Sequence, residues 1–322
     1  MAAIGIGLKP VDAVEATIVV DSSIDLLLAS GGPARRPPLA HDWSERDQLR
    51  AEHGYGLLLR TRVGDDWHTI LYDLGLGRDT LLWNATILGL DLAAAEAIVV
   101  SHGHADHHGG LEGAIAKRGR AGLPVVLHPD ALLHRRVVFP TGVEIAMPPP
   151  NRNDIERDGA RVLAEPGPSL WGGETFLVSG QVARTTDFET GFPLQQRRDG
   201  EGWTPDTWIW DDQNVVVNVR GQGLVVFSSC SHAGAVNILR NAQALTGVGR
   251  VHAFVGGMHL TGGLFERIIP ATMDAIAAIA PDYLVPGHCT GFRAVAEVVS
   301  RFPDRYLASS VGTRFVFEAP TT

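Results

Sequence analysis

Ten residues hold an unusual density of metal-binding side chains: Ser101-His102-Gly103-His104-Ala105-Asp106-His107-His108-Gly109-Gly110 contains four of the 13 histidines and one aspartate. The apolar run Ala97-Ile98-Val99-Val100 precedes it and reads as a buried strand, and Gly109-Gly110 breaks the chain after it. In an extended segment, side chains two apart project to one side, so His102 and His104 can grip one ion together. Asp106 and His107, beyond the turn, point elsewhere and can serve a second.

The same grammar recurs downstream. Val225-Val226-Phe227 runs into Ser228-Ser229-Cys230-Ser231-His232, and Val251 to Val255 ends at Gly256-Gly257-Met258-His259. Tyr283-Leu284-Val285 ends at Pro286-Gly287-His288-Cys289. Strands that deliver imidazoles at their ends fit a site assembled from loops at one rim of a sheet.

Other elements must position these loops. Strands are expected at 16–20, 56–61, 69–73, 124–127, 160–163, 175–178, 214–218, 305–307 and 313–317. Helices are expected at 79–90, 111–118, 131–138, 235–245, 264–279 (interrupted by Pro270) and 292–301. Met147-Pro148-Pro149-Pro150 is a stiff linker, and residues 184–212 read as a long polar loop holding Trp203, Trp208 and Trp210. A loop of that length suits a lid or substrate wall, which makes Trp208 and Trp210 candidate substrate contacts, or else an excursion packed on its own tryptophans. Strand, polar loop and helix in repetition predict a layered α/β fold, two sheets face to face with helices outside.

His102-Gly103-His104-Ala105-Asp106-His107 resembles the HxHxDH signature of the metallo-β-lactamase superfamily. Glu52-His53-Gly54, Tyr72-Asp73-Leu74-Gly75, Asp211-Asp212-Gln213, Cys230 to Gly234, Gly256 to Leu260 and Pro286 to Gly291 are similar to blocks of its dihydropterin-type synthase branch, in the same order. The resemblance implies an αββα sandwich spanning residues 1–322 as one domain, with an insert at about 139–212. It implies one ion on His102, His104 and His232 and a second on Asp106, His107 and His288: zinc, with iron or manganese as alternatives. Two such ions about 3.5 Å apart share a bridging hydroxide that exists at neutral pH. Asp106 aims that hydroxide, Asp73 orients a ligand histidine, and Cys289 supports the site or is simply a small buried residue.

The chain departs from the superfamily pattern at one place. A bridging carboxylate is expected late in the chain, yet nothing acidic occupies 228–232. Either Cys230 fills that place, with Asp187 or Glu189 adding a contact, or His232 is the third ligand and no protein group bridges. Imidazole is the commoner ligand, which favours His232. His259 is a candidate general acid or phosphate donor, and His53 carries the same reading with less weight. His41, His68, His128, His134 and His252 read as structural or surface residues.

Composition narrows the function. A chain of 322 residues, 45% hydrophobic and 20% charged, is an ordinary globular enzyme, and its net charge of −9 without a basic block argues against nucleic acid. No apolar run reaches the roughly 18 residues of a membrane span, and residues 1–10 show no secretory leader. Two cysteines make no disulfide scaffold and fit a cytoplasmic protein. The expected function is a metal-dependent hydrolase acting on a phosphoester or related small ester. A pterin-pathway synthase and a non-catalytic metal-binding sensor are the alternatives.

Overall fold

A computed structural model describes residues 5–38, 47–119 and 121–320; His41 lies outside them. Eight strands form one sheet in the order Ala34–Arg35, Arg314–Glu318, Ala13–Val20, Gly56–Val63, Asp66–Tyr72, Ala97–Val99, Leu123–Leu127 and Ala160–Ala164. Six form another: Ser169–Trp171, Phe176–Val178, Val215–Val219, Gly223–Ser228, Val251–Gly256 and Tyr283–Pro286.

Side-chain alternation explains how the sheets meet. Val14, Ala16, Ile18, Leu57, Leu59 and Ile70 of the first sheet pack against Val215, Val217, Val225, Phe227 and Val255 of the second in one buried core. The intervening residues face outward and are covered by helices. Val216, Val226 and Phe254 pack under the helices Ala235–Thr246, Ile269–Ile279 and Phe292–Arg301. Leu58, Leu71, Ile98 and Val125 pack under Thr80–Ile87, Leu111–Arg118 and Arg152–Arg157. Sheets buried on both faces require near-continuous apolar strands, which is how AIVV, GLVVF and VHAFV read. The expected αββα sandwich is the architecture found. No helix among the described residues is long and apolar enough to cross a membrane.

Within each sheet the strands that carry the motifs run parallel. Asp66–Tyr72, Ala97–Val99 and Leu123–Leu127 form one parallel set, and Gly223–Ser228, Val251–Gly256 and Tyr283–Pro286 the other. Parallel strands place all their C-terminal loops on the same edge, the usual location of a ligand crevice.

Several expected elements differ. Residues 131–138 are not a helix: a 3₁₀ turn at Pro129–Leu132 leads into a strand, Arg135–Val138. The β-branched Val137 and Val138 suit that strand, and Gln195 pairs with Val137 across it. Residues 184–212 are not only loop: Gln195–Asp199 and Gly202–Pro205 form a hairpin. With Arg135–Val138 and Glu144–Met147 they make a third, four-stranded sheet. Pro270 does not interrupt a helix; it sits in the first turn of Ile269–Ile279, where its missing N–H is not needed, after a 3₁₀ turn at Glu266–Ile268. Residues 305–307 contribute only an isolated bridge, Leu284 to Tyr306.

Where the Val251–Gly256 strand ends, the chain presses on its neighbour. Gly256 has φ +130°, and a Cβ there would stand 1.7 Å from the Ser228 carbonyl oxygen. Gly256→Ala should therefore cost about 3 kcal/mol or more of stability. Urea unfolding of the two proteins checks this, and superimposable curves would contradict it.

Candidate metal centre

Asp73, at the end of Asp66–Tyr72, is fully buried and holds a left-handed φ of +55°. Its Oδ1 accepts from the Ser101 N–H at 2.7 Å. Its Oδ2 accepts from Ser101 Oγ at 2.6 Å and from His107 Nδ1 at 2.7 Å. Because the Ser101 hydroxyl proton goes to Asp73, Ser101 Oγ accepts from His102 Nδ1 at 2.8 Å. His102 is thereby set as the Nδ1–H tautomer. Its Nε2 lone pair is buried with no protein partner.

His104 is fixed from the third sheet. Gln195 Nε2 donates to Asp206 at 3.2 Å, so Gln195 Oε1 faces His104 Nε2 at 2.7 Å and accepts its proton. His104 Nδ1 is left with a free lone pair. Arg135, fully buried, ties this corner together. Its Nε donates to Asp206 at 2.6 Å, and its two terminal nitrogens donate to Asp211 at 2.9 and 2.6 Å. Asp211 also accepts from the Gly103 N–H at 2.8 Å. One guanidinium thus joins the backbone between the two histidines to the amide that orients the second.

His232 and His288 arrive from the other sheet, after Gly223–Ser228 and Tyr283–Pro286. The ring centroids of His102, His104 and His232 form a triangle with sides of 4.5, 4.7 and 4.7 Å. One nitrogen from each of the three lies within 4.8 Å of the others, and neither nitrogen of buried His232 has a hydrogen-bond partner. Asp106 Oδ2 stands 3.4 Å from His107 Nε2 and 3.5 Å from His288 Nε2. His53, a minor candidate in the sequence, joins them at 3.5 Å. The structure therefore gathers His102, His104 and His232 in one cluster and Asp106, His107 and His288 beside it.

Electrostatics suits ligation. Burial, with repulsion from the neighbouring rings, pushes His102 and His232 well below the usual imidazole range. Burial takes His104 down to about 4. All three are neutral near pH 7, with lone pairs available. Burial would raise Asp106, but His107 and His288 outweigh it and hold the carboxylate ionised. Burial also opposes protonation of His107, yet Asp106 and Asp73 on either side raise it well above its ordinary range. A ring between two carboxylates marks a place that attracts positive charge. Buried donor atoms without protein partners, set at ligand spacing, fit divalent metal ions.

The other candidates are placed as follows. Cys230 Sγ faces His107 Nε2 at 3.4 Å and Cys289 Sγ at 3.3 Å, and it lies within 4.8 Å of a nitrogen of His102, so it stands beside the imidazole cluster. Glu189 is not a metal contact. Its carboxylate accepts from the N–H groups of Val236 and Asn237 at 2.8 and 2.9 Å. It caps a helix whose own N-cap, Gly234, has no side chain to do so. Asp187 is exposed. Asp212, for which sequence reasoning found no role, accepts from the Ala233 N–H at 2.7 Å and holds the His232 loop; burial raises its pKa to about 7. His259 lines a cleft beside His232, ring centroids 4.2 Å apart, with Phe265 at 4.4 Å and Arg267 nearby. Trp208 and Trp210 lie outside that cleft. They pack on each other at 6.1 Å with Arg184 over Trp210, so their contacts serve the insert itself. His68, His252 and His128 serve local structure: they bond Glu96, Asp282 and the Asp130 N–H respectively.

Two outcomes follow from the buttress. Gln195→Ala should weaken zinc binding about 10- to 100-fold while leaving the fold intact, as loss of a ligand-orienting partner does; competition with a chromogenic chelator reads this, and unchanged affinity would contradict it. Arg135→Ala strands two buried carboxylates and should cost about 3–5 kcal/mol in denaturant unfolding, whereas a cost under 1 kcal/mol would contradict the role.

No protein-family model matches the chain. Over 261 residues, 80% of this chain and 87% of the relative, it is 27% identical to 7,8-dihydropterin-6-methyl-4-(β-D-ribofuranosyl)-aminobenzene-5'-phosphate synthase of Methanocaldococcus jannaschii. An uncharacterized protein of the same organism is 26% identical over 251 residues, 77% of this chain and 88% of its own length. Among solved structures, Tm1679, a metal-dependent hydrolase of the β-lactamase superfamily, aligns with a TM-score of 0.72 over 95% of this chain and 100% of that one, at 23% identity. A diphosphatase of the PhnP family aligns with a TM-score of 0.50 over 95% and 98%, at 10% identity. The chain thus has the metallo-β-lactamase fold, and over four fifths of its length its sequence is similar to that Methanocaldococcus synthase.

Proposed function

We propose that this protein is a metal-dependent hydrolase of small phosphate esters. The observation that carries the reading is the set of buried imidazole nitrogens without protein partners on His102, His232 and His288, drawn from three strand ends to one rim. His102, His104 and His232 would hold one divalent ion, and Asp106, His107 and His288 a second; zinc suits these donors, and iron or manganese are compatible. Such ions, when bound, act as Lewis acids and supply a hydroxide nucleophile at neutral pH.

The chain's own groups supply the rest. Asp106 stays ionised, so its carboxylate accepts a hydrogen bond from the attacking oxygen and orients its lone pair toward the phosphorus. Asp73 holds His107 and, through Ser101, His102 at fixed tautomers, so no ring must turn as charge develops. His259, half-buried on the cleft wall, donates a hydrogen bond to the leaving oxygen, and exposed Arg267 pairs with a phosphate oxygen. Phe188 and Phe265 give the cleft an apolar side for the ester's organic group. The net charge of −9 disfavours a polyanionic macromolecule as substrate, and two free buried thiols fit a reducing compartment such as the cytoplasm.

A second reading, a synthase joining a pterin to a phosphorylated partner, is favoured by the 27% identity to the Methanocaldococcus enzyme. The same aromatic cleft would then receive a flat heterocycle.

Turnover of nitrophenyl phosphoesters should be chelator-sensitive, restored by zinc or manganese, and reduced at least about 100-fold by Asp106→Ala. Chelator-insensitive or absent turnover on phosphoesters, together with formation of a pterin adduct, would replace the first reading by the second.

A further inference from the structure

Cys230 and Cys289 leave strand ends 59 residues apart in sequence and meet inside the protein, Sγ to Sγ 3.3 Å, both buried and both free. Their thiols, together with an imidazole nitrogen of His259, lie within 4.8 Å of one another. His259 Nδ1 is buried and has no hydrogen-bond partner. Cys289 and His259 belong to neither imidazole group, while Cys230 Sγ also lies within 4.8 Å of a nitrogen of His102 and of His107.

The backbone is bent to bring these groups in. Ser231, His259 and His288, each a ligand or directly beside one, hold left-handed φ angles of +61°, +46° and +47°. Non-glycine residues adopt that conformation at a cost, and persist there where the surroundings impose it. Gly257 keeps the space open: a Cβ there would stand 2.8 Å from Cys289 Sγ and 2.2 Å from the Ser229 carbonyl oxygen.

We infer that Cys230, Cys289 and His259 form a further metal site, one that takes a thiophilic divalent cation such as zinc. Two thiolates neutralise a divalent ion, so the assembled cluster is uncharged and tolerates burial that an all-imidazole site does not. Binding releases the two thiol protons to solvent and changes no oxidation state. Ligation through one ring nitrogen leaves the other nitrogen of His259 protonated and free to face the cleft. The inference does not depend on which substrate the protein acts on.

X-ray absorption of the zinc-loaded wild-type protein tests it without any substitution. Sulfur scatterers at about 2.3 Å are expected. In the cobalt-substituted protein, kept reduced, a thiolate-to-cobalt charge-transfer band is expected that survives His232→Ala and is lost in Cys289→Ser. A zinc shell of nitrogen and oxygen alone, at full loading, would overturn the inference. So would a band that survives Cys289→Ser, because the thiolate would then belong to Cys230 acting with His102 and His107. Sulfur ligation with no hydrolytic turnover would defeat the functional reading above and leave this site standing.

Discussion

Everything at this rim depends on keeping several imidazoles dry and with at least one nitrogen each left without a protein partner, and burial keeps His102, His104 and His232 neutral. Buried polar atoms are nearly always hydrogen-bonded, because desolvating them unpaired costs about 1–3 kcal/mol each. Here His102, His232 and His288 all keep such atoms, in one place. A protein carries that cost where something else satisfies the lone pairs, and neutral nitrogens at ligand spacing next to an ionised Asp106 define that something as a cation.

The fold is the device that makes this possible. Parallel strands in both sheets deliver their C-terminal loops to a common edge, so Asp73 and His288, far apart in sequence, reach the adjacent His107 and Asp106. Three of the rings are then pinned at the nitrogen that is not free. Asp73 serves His107 directly and His102 through Ser101; Gln195 serves His104. The third sheet stiffens the same corner, because Arg135 binds Asp206 and Asp211 at once, and Asp211 reaches the Gly103 amide. Gln195, Asp206 and Asp211 of the insert thus serve as a brace.

Much of this was legible in the residues. Apolar runs ending in His, Asp or Cys mark strands that feed a site, and the resemblance of the Asp73 block implied an orienting role that its residues alone left level with a turn aspartate. What escaped was the third sheet. Arg135-Arg136 and Gln195 to Asp199 carry no apolar alternation, because they bury charge against charge, and the partners Asp206 and Asp211 lie some seventy residues beyond Arg135. Val137 and Val138, and the turn at Gly200 before Trp203, were the signals available for strands there. The sequence left the tryptophans open for a related reason: an aromatic in a polar segment can face a ligand or a guanidinium, and Trp210 lies under Arg184, 26 residues earlier.

The account's central claim is that His102 Nε2, His104 Nδ1 and a nitrogen of His232 converge on one ion. Anomalous scattering from crystals grown with zinc, measured on both sides of the zinc edge, addresses it most directly. The claim predicts a peak bonded to those three rings, with Asp73 and Gln195 still holding His102 and His104 from behind. Crystals supplied with zinc, manganese and iron in turn that show no peak there, or that show His232 turned away into a protein hydrogen bond, would contradict it.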